Sequence, residues 1–223
     1  MKKIIYAVIL FFIFSNSALA AKETSIDVTA KDIAAKTSNL KPKVIKLAIE
    51  AFYRAKRAGI TIKKPVLTVI DYTLASTQKR LWVVDLDSKQ VLYTSMCAHG
   101  KYSGENYTTS FSNNMGSLQT SIGLFLTEDT YFGRDGYTLR LEGLEKGFND
   151  NAKDRLIVFH GAPYVNQKFA AVAGRIGRSW GCPAVEKPLA EPIINTIKGG
   201  TLIFSFYNHP QWLRESKFIN NEV

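Results

Sequence analysis

Cysteine and histidine are scarce in this chain, which limits the kinds of site that it can form. The 223 residues include two cysteines, Cys97 and Cys182, and three histidines, His99, His160 and His209. Two thiols allow one disulfide at most. Cys97, His99, His160 and Cys182 are a formal alternative as zinc ligands, but the C-A-H spacing of the first two is not a usual ligand spacing. We therefore expect no metal centre.

Long apolar runs are also absent, except near the N-terminus. Ile4 to Phe14 form an apolar run of 11 residues, whereas a membrane-spanning helix needs about 20. Two lysines precede this run and Ala18-Leu19-Ala20 follows it, a pattern typical of a secretory signal peptide. The sequence predicts a signal peptide over residues 1–20, with an uncleaved anchor as the alternative. The mature protein would be periplasmic or otherwise extracytoplasmic.

Acidic side chains are outnumbered by basic ones. The chain has 29 Lys and Arg against 19 Asp and Glu, a net charge of +10, which becomes +8 if both lysines of the signal leave (10 − 2). Such a surface favours transient contact with an anionic polymer or membrane surface, although a merely solvated surface explains it equally well. Nucleic acid is not an expected partner, because no binding motif or Arg-aromatic cluster is present.

The hydrophobic content of 46% is typical of a globular domain. Residues 21 to about 39 are polar and weakly patterned, which indicates a flexible lead or a loosely packed strap. Leu40 to Ala58 show apolar residues at three- and four-residue spacing, which predicts an amphipathic helix ended by Gly59. We expect this N-terminal segment, residues 21–65, to pack on the domain that follows. The apolar positions are Val44, Leu47, Ala48, Ala51, Phe52 and Ala55.

After Pro65 the pattern changes to short extended runs separated by turn signals such as R-D-G, which predicts a mostly β fold with flanking helices. A helix is expected from Lys187 to Lys198, ended by Gly199 and with a later start or a kink caused by Pro192. Residues 208–223 form a C-terminal tail. The predicted strands are Val66–Tyr72, Arg80–Asp85, Gln90–Ala98, Ser121–Thr127, Thr138–Leu141, Arg155–His160 and Thr201–Tyr207.

His160 and Cys182 stand at the two ends of one segment, with the thiol inside R-S-W-G-C-P. A cysteine attacks a carbonyl as the thiolate, and a nearby histidine can take its proton. Gly161 and Gly181 would allow backbone N–H groups to approach the oxyanion formed on attack. The alternative is a buried structural cysteine and an ordinary histidine at a strand end.

Four sequence blocks resemble the murein L,D-transpeptidase catalytic domain family of the YkuD-like superfamily. They are H-G followed by R-S-W-G-C-P, S-T-Q-K-R-L-W-V-V-D-L from Ser76, A-H-G-K-Y-S-G-E-N-Y from Ala98, and L-E-K-G-F-N-D-N-A from Leu144. The resemblance covers about residues 66 to 207. The chain departs from the wider superfamily at Trp180, where most members carry histidine.

The resemblance implies a mixed β-sheet catalytic fold, with the nucleophile on a loop before a helix, and an enzyme that acts on peptidoglycan stem peptides. It implies that Cys182 attacks the carbonyl between the diamino acid and the terminal D-Ala of a tetrapeptide stem. His160 would act as base and then as acid. The thioester would pass to an amine of another stem, forming a cross-link, or to water. No metal, nucleotide or organic cofactor is needed.

The remaining site candidates each have a structural alternative. Backbone N–H groups of Trp180, Gly181 and Cys182 are the expected oxyanion donors, and the Gly161 carbonyl is a candidate to orient the imidazole. Arg178 could bind a substrate carboxylate or brace the loop. Ser179 could contact the thiolate or cap the loop, Trp180 could stack on substrate or pack, and His99 could line the substrate groove or lie on a surface loop.

Three competing interpretations stay open. Cys97 and Cys182 could form a disulfide that disables the nucleophile or makes it redox-gated, or Cys97 could simply be a buried strand residue. The enzyme could be an L,D-carboxypeptidase or a related wall hydrolase. The chain could also be a catalytically silent peptidoglycan-binding protein, for which Trp180 in place of the usual histidine is the main argument.

Overall fold

The structure, a computed structural model, describes residues 25–220 and is dominated by one sheet of nine strands. Residues 1–20, where a signal peptide is predicted, lie outside the described residues. The strands follow the order β3-β2-β1-β9-β5-β6-β7-β8-β4. They are β1 Val66–Asp71, β2 Leu81–Asp85, β3 Gln90–Ser95, β4 Cys97–Ala98, β5 Gly123–Gly133, β6 Gly136–Gly143, β7 Val158–Ala162, β8 Ala184–Glu186 and β9 Leu202–Phe206.

The two outermost strands of this sheet are neighbours in sequence. β3 ends at Ser95 and β4 begins at Cys97, so a single residue, Met96, joins the two ends of the strand order. The sheet must therefore curl until its edges approach each other, which produces a nearly closed, barrel-like shape. Irregular pairing at Val83/Val84 and between Thr127 and Thr130 adds local bending. The expectation of a mostly β fold with flanking helices is confirmed.

Five helices flank the sheet in the described part of the chain. The long helix α2 packs against strands β1 and β9, and its apolar stripe shares a core with Trp82 and Phe204. Helix α4 packs against β7 on a second core. The helices are α1 over residues 25–35, α2 Pro42–Arg57, α3 Gln167–Ala173, α4 Lys187–Ile197 and α5 Pro210–Glu215.

Helix α1 differs from the flexible lead that the sequence suggested. Ala30, Ile33 and Ala34 are buried in the core shared with α2, and Ile26 packs against it. These positions recur with helical spacing, but two of them are alanines and the polar residues between them mask the pattern. Burial against the sheet, rather than local propensity, therefore fixes this helix.

Helix α4 also differs in one respect, because it begins at Lys187 and tolerates Pro192 in its interior. A proline removes the hydrogen bond to the carbonyl four residues earlier, and for Pro192 that carbonyl belongs to Pro188 in the first turn. The helix therefore loses one bond at its edge, while Ala190, Ile193, Ile194 and Ile197 remain buried.

The C-terminal tail contains helix α5, which the sequence did not predict. His209 accepts a hydrogen bond from the Trp212 backbone N–H at 3.3 Å and so caps the helix. The Trp212 ring lies 5.7 Å from Phe204 and 6.1 Å from Phe206, and its Nε1 donates to Glu145 at 2.9 Å. Burial raises the pKa of Glu145. The tail is therefore part of the core of this fold.

We predict that Trp212→Ala lowers the free energy of unfolding by about 3–5 kcal/mol, because it empties a fully buried site and leaves Glu145 without its indole donor. Denaturant unfolding followed by circular dichroism would measure the loss. Trp180→Ala is the matched control, since Trp180 is 63% exposed and should cost less than about 1 kcal/mol. Equal losses would contradict a core role for α5.

Candidate active site

His160 and Cys182 are brought together by two parallel strands. His160 lies in β7 and pairs with Ala184 of β8, and Cys182 precedes Ala184 by two residues. The His160 backbone N–H also donates to the Pro183 carbonyl at 3.4 Å. This register sets the histidine beside the residues that immediately follow the cysteine.

The His160 imidazole is buried and held in one orientation. Its Nδ1 lies 3.1 Å from the carbonyl oxygen of Gly161, the group that the sequence indicated as a candidate to orient the ring. A carbonyl only accepts hydrogen bonds, so this contact requires the proton on Nδ1 and leaves the lone pair of the neutral ring on Nε2. An imidazole in this tautomer can accept a proton at Nε2.

The Cys182 thiol is half-buried between two backbone groups. Its Sγ accepts from the Val158 N–H at 3.4 Å and donates to the Leu156 carbonyl at 3.6 Å. Burial raises the pKa of Cys182 and Asp135 raises it further, against the lowering effects of the Val158 N–H and Arg155. The resting group is therefore a thiol at neutral pH, and attack on a carbonyl requires a base.

Ser179 shapes the loop that carries the cysteine. Its hydroxyl donates to the Cys182 carbonyl at 2.6 Å and accepts from the Gly181 N–H at 3.1 Å. The Gly181 N–H, one of the expected oxyanion donors, is therefore already engaged in this structure. The N–H groups of Trp180 and Cys182 stay the expected oxyanion donors, and that of Cys182 belongs to the residue whose sulfur would attack.

Gly181 occupies a position that no other residue fits without strain. Its φ is +128°, and a Cβ there would lie 2.8 Å from the Gln119 carbonyl oxygen and 2.9 Å from the Ile157 side chain. The Thr120 hydroxyl donates to the Gly181 carbonyl at 3.3 Å. The nucleophile loop is thus packed directly on residues 119 and 120 of a separate loop.

Arg178 is bound to the loop that follows β4. Its Nη1 donates to the carbonyls of Lys101 and Gly104 at 3.0 and 3.1 Å and to Glu105 Oε1 at 2.6 Å. Arg175 pairs with the other oxygen of Glu105 at 2.8 Å. In this conformation Arg178 braces the loop, and its contact with a substrate carboxylate stays a prediction.

His99 lies beneath the same loop and is almost completely buried. Arg80 Nη2 lies 2.7 Å from its Nδ1, and its Nε2 lies 3.2 Å from the Gly104 carbonyl. A guanidinium only donates, so Nδ1 accepts and Nε2 carries the proton. Burial, with a further effect of Arg80, lowers the pKa of His99 to about 4. The ring is therefore neutral and supports the loop from inside, and no part of it lines an open groove in this conformation.

Trp180 stands at the surface rather than in the core, with 63% of its area exposed. The guanidinium of Arg134, in the turn between β5 and β6, lies 5.0 Å from the centre of its ring. The ring therefore forms an apolar surface between the nucleophile loop and the β5–β6 turn. Its contact with substrate stays a prediction.

The two cysteines are both free in this structure. Cys97 is fully buried, with its sulfur 3.8 Å from the Tyr72 hydroxyl, whereas the sulfur of Cys182 contacts Val158. Across residues 25–220, no group of three or more His, Cys, Asp or Glu side chains could hold a metal ion. Within the same range, no helix has the length and apolar character to cross a membrane.

A family model for the L,D-transpeptidase catalytic domain matches residues 36–206, more than half of the chain. The chain belongs to this family. Members of the L,D-transpeptidase family modify peptidoglycan, which makes the function of this domain peptidoglycan-related. None of the curated proteins compared with the chain matches it.

Solved structures similar to this chain include three from bacteria. An L,D-transpeptidase from Mycobacterium smegmatis has 15% identity and a TM-score of 0.40, covering 65% of this chain and 59% of its own. One from Stackebrandtia nassauensis has 14% identity and a TM-score of 0.39, covering 84% and 92%. The helical cell shape determining protein Pgp2 from Campylobacter jejuni has 12% identity and a TM-score of 0.44, covering 75% and 58%. The chain thus spans about three fifths of the first structure.

Two arginines in this L,D-transpeptidase domain could not be recognised as important from the sequence. Arg80 is fully buried and holds the Cys97 carbonyl as well as His99. Arg155 donates to the carbonyls of Ser112 and Gln119, both at 2.7 Å, to Ser117 Oγ at 3.0 Å and to Ser121 Oγ. Neither residue differs in sequence from an ordinary surface arginine, although Arg80 lies inside one of the four family-like blocks.

We predict that Gly181→Ala destabilises the nucleophile loop by about 2–4 kcal/mol, because it adds a clash with the Gln119 carbonyl to the cost of a positive φ. Thermal unfolding would measure the effect. Gly147→Ala is the matched control, since Gly147 has a φ of +81° and a Cβ there would meet nothing within 4 Å, so only the backbone cost of about 1 kcal/mol applies. Equal effects would argue against close packing at Gly181.

We predict that Cys182 is alkylated more slowly at pH 7 than free cysteine, because a raised pKa lowers the fraction of thiolate. Its rate should go on rising above the pKa of free cysteine, about 8.5. Iodoacetamide labelling of the Cys97→Ala variant, in which Cys182 is the one remaining cysteine, followed by mass spectrometry would measure this rate. Cys97 itself should react little, because it is buried and its pKa is raised to about 11. A plateau below pH 7 would instead indicate a thiolate–imidazolium pair already formed in the resting protein.

Proposed function

We propose that this protein is an exported, cysteine-dependent peptidoglycan L,D-transpeptidase that forms an acyl-enzyme on Cys182. The observation that carries the proposal is the β7–β8 register, which sets His160, with its Nε2 lone pair free, beside the segment of Cys182. Membership of the L,D-transpeptidase family supports the substrate class. The proposal of export rests on the signal-like sequence of residues 1–20.

The first half-reaction transfers an acyl group to the sulfur. His160 Nε2 takes the proton of the Cys182 thiol, and the thiolate attacks the carbonyl between the diamino acid and the terminal D-Ala of a tetrapeptide stem. The Cys182 N–H donates to the developing oxyanion. The C–N bond then breaks, and D-Ala leaves with the proton returned by the imidazolium. A thioester remains on Cys182.

The second half-reaction releases the sulfur. An amine of another stem attacks the thioester, the C–S bond breaks, and the proton of the amine reaches the sulfur through His160. The product is a cross-link between two stems. Attack by water instead gives a tripeptide acid, which would make the protein an L,D-carboxypeptidase or a related wall hydrolase.

A catalytically silent peptidoglycan-binding protein is the second candidate function. The observation that favours it is Trp180, which takes the place of a histidine found in most of the wider superfamily and lies on the surface beside Arg134. Against it, a binding protein requires neither a thiol nor an imidazole held in the tautomer of a base.

We predict that the protein, incubated with tetrapeptide muropeptides, yields cross-linked dimers and free D-Ala, with a thioester on Cys182 that intact mass spectrometry detects. Cys182→Ala should abolish every product, and His160→Gln should lower the rate by at least about 100-fold because it removes the base. Cys97→Ala is the matched thiol control and should retain activity. Tripeptides without dimers would identify a carboxypeptidase, whereas binding of muropeptides without any product would support the silent protein.

A further inference from the structure

Positive charge is concentrated in one short part of this chain. Residues 36–64 contain nine Lys and Arg and one acidic residue, Glu50, which gives them a net charge of +8 (9 − 1). The whole chain carries +10, of which Lys2 and Lys3 account for +2. All other residues together therefore carry no net charge (10 − 8 − 2). The basic character of the protein belongs to helix α2 and the segments on either side of it.

Seven of these nine cations have exposed side chains. In the part of the chain that the structure describes, none of the seven forms an ion pair, whereas Lys46 and Arg54 are paired with acidic neighbours. Because α2 buries its apolar stripe against the sheet, its polar face carries these charges on the surface. We call the seven exposed residues the basic cluster, which consists of Lys36, Lys41, Lys43, Lys56, Arg57, Lys63 and Lys64.

A cavity of about 270 Å³ opens within the basic cluster. Three cations line it, Lys56, Lys63 and Lys64, against the single carboxylate of Asp87. This gives the lining a net charge of +2 (3 − 1). The buried ring of Phe52 forms part of the wall. Ammonium groups bind phosphate as point charges, so the cavity suits a phosphate group attached to a partly apolar molecule.

This cavity and the nucleophile lie at opposite rims of the barrel-like sheet, where the rims are formed by the strand ends. β1 runs parallel to β9, whereas β7 and β8 run antiparallel to β9 when the pairing is followed through β5 and β6. Strands of opposite direction begin at opposite rims. Lys63 and Lys64 come just before the start of β1, and Cys182 comes just before the start of β8. A surface bound at the cavity would therefore leave the cysteine at the far rim.

We propose that the basic cluster docks this protein on a membrane surface rich in anionic phospholipids, with one headgroup phosphate in the cavity. The charge complementarity of a cationic helix face and an anionic bilayer surface carries the proposal. A bilayer fits better than the wall polymer, because the cluster extends over α2 and both of its flanking segments while the proposed site for the polymer lies at the other rim.

Docking of this kind has a consequence for the orientation of the protein. The rim that carries Cys182 is turned away from the bilayer and toward the space in front of it. Binding to the bilayer goes beyond the proposed function and requires no catalysis. Only the benefit of the orientation, which is access to peptidoglycan from a membrane surface, rests on that function.

We predict that the protein without its predicted signal, which keeps all of residues 25–220, co-sediments with vesicles of phosphatidylglycerol and phosphatidylcholine but not with vesicles of phosphatidylcholine alone. Salt should weaken this binding because it screens the charges. Each Lys or Arg near an anionic bilayer strengthens binding by about fivefold. Lys56→Gln, Lys63→Gln and Lys64→Gln together should therefore weaken binding by at least about tenfold.

Two further variants separate a local site from general attraction. Lys79→Gln, Lys101→Gln and Lys146→Gln together remove the same charge from exposed positions beside strand ends at the other rim. This matched control should weaken binding by less than about threefold, because distant charges are screened. Arginine in place of the three cavity lysines keeps the charge and should retain binding. Circular dichroism would check that each variant is folded.

Three outcomes would overturn the docking site. Equal losses in the two glutamine variants would leave only a diffuse positive surface. Binding to isolated peptidoglycan through the cavity lysines, without binding to vesicles, would make the wall polymer the occupant. Full competition by inorganic phosphate at the headgroup concentration would indicate a small-anion pocket instead. The Cys182→Ala variant should bind vesicles as the parent does, so that failure of the proposed catalysis is measured separately.

Discussion

The buried guanidinium of Arg80 is the interaction on which the candidate site most depends. It donates to the Cys97 carbonyl from two nitrogens, to the Leu74 carbonyl at 2.8 Å and to Thr108 Oγ1 at 3.3 Å, and it contacts His99. Burial lowers the pKa of this arginine, but an arginine stays charged in proteins. A charge so deep in the fold is stable only while these acceptors remain in place. Arg80 therefore fixes strand β4 and the loop that follows it.

A series of hydrogen bonds connects Arg80 to the loop that carries Cys182. His99 Nε2 donates to the Gly104 carbonyl, which also accepts from Arg178. The Ser179 N–H donates to the His99 carbonyl at 2.9 Å. On the other side, Arg155 holds the loop whose residues 119 and 120 contact Gly181. The position of one sulfur atom thus depends on three distant segments. The family-like blocks that begin at Ser76 and Ala98 contain no reacting group, and they supply Arg80, His99 and Gly104 to these contacts.

Periodicity and motif together predicted much of the fold and the central pair. Strands β1, β2, β5, β6, β7 and β9 and helices α2 and α4 appear where runs of β-branched and apolar residues or helical spacing indicated them. The single strand expected over Gln90–Ala98 is divided at Met96 into β3 and β4, which lie at opposite edges of the sheet. Strand β8 and helices α1, α3 and α5 were not predicted. Strand β8 has three residues, which are too few for a pattern, and α1 and α5 are fixed by burial in tertiary contacts. The sequence also could not show which hydrogen bonds the loop forms. Nothing in R-S-W-G-C-P reveals that the Gly181 N–H donates to the Ser179 hydroxyl.

The strand order has a consequence for how the chain can fold. β9, the last strand in the described part of the chain, lies in the middle of the sheet, parallel to β1 and antiparallel to β5. Until β9 is available, β1 and β5 each keep an edge without its final partner strand. Such distant pairing slows folding and leaves partly folded chains open to aggregation. A chain of this topology therefore completes its sheet late.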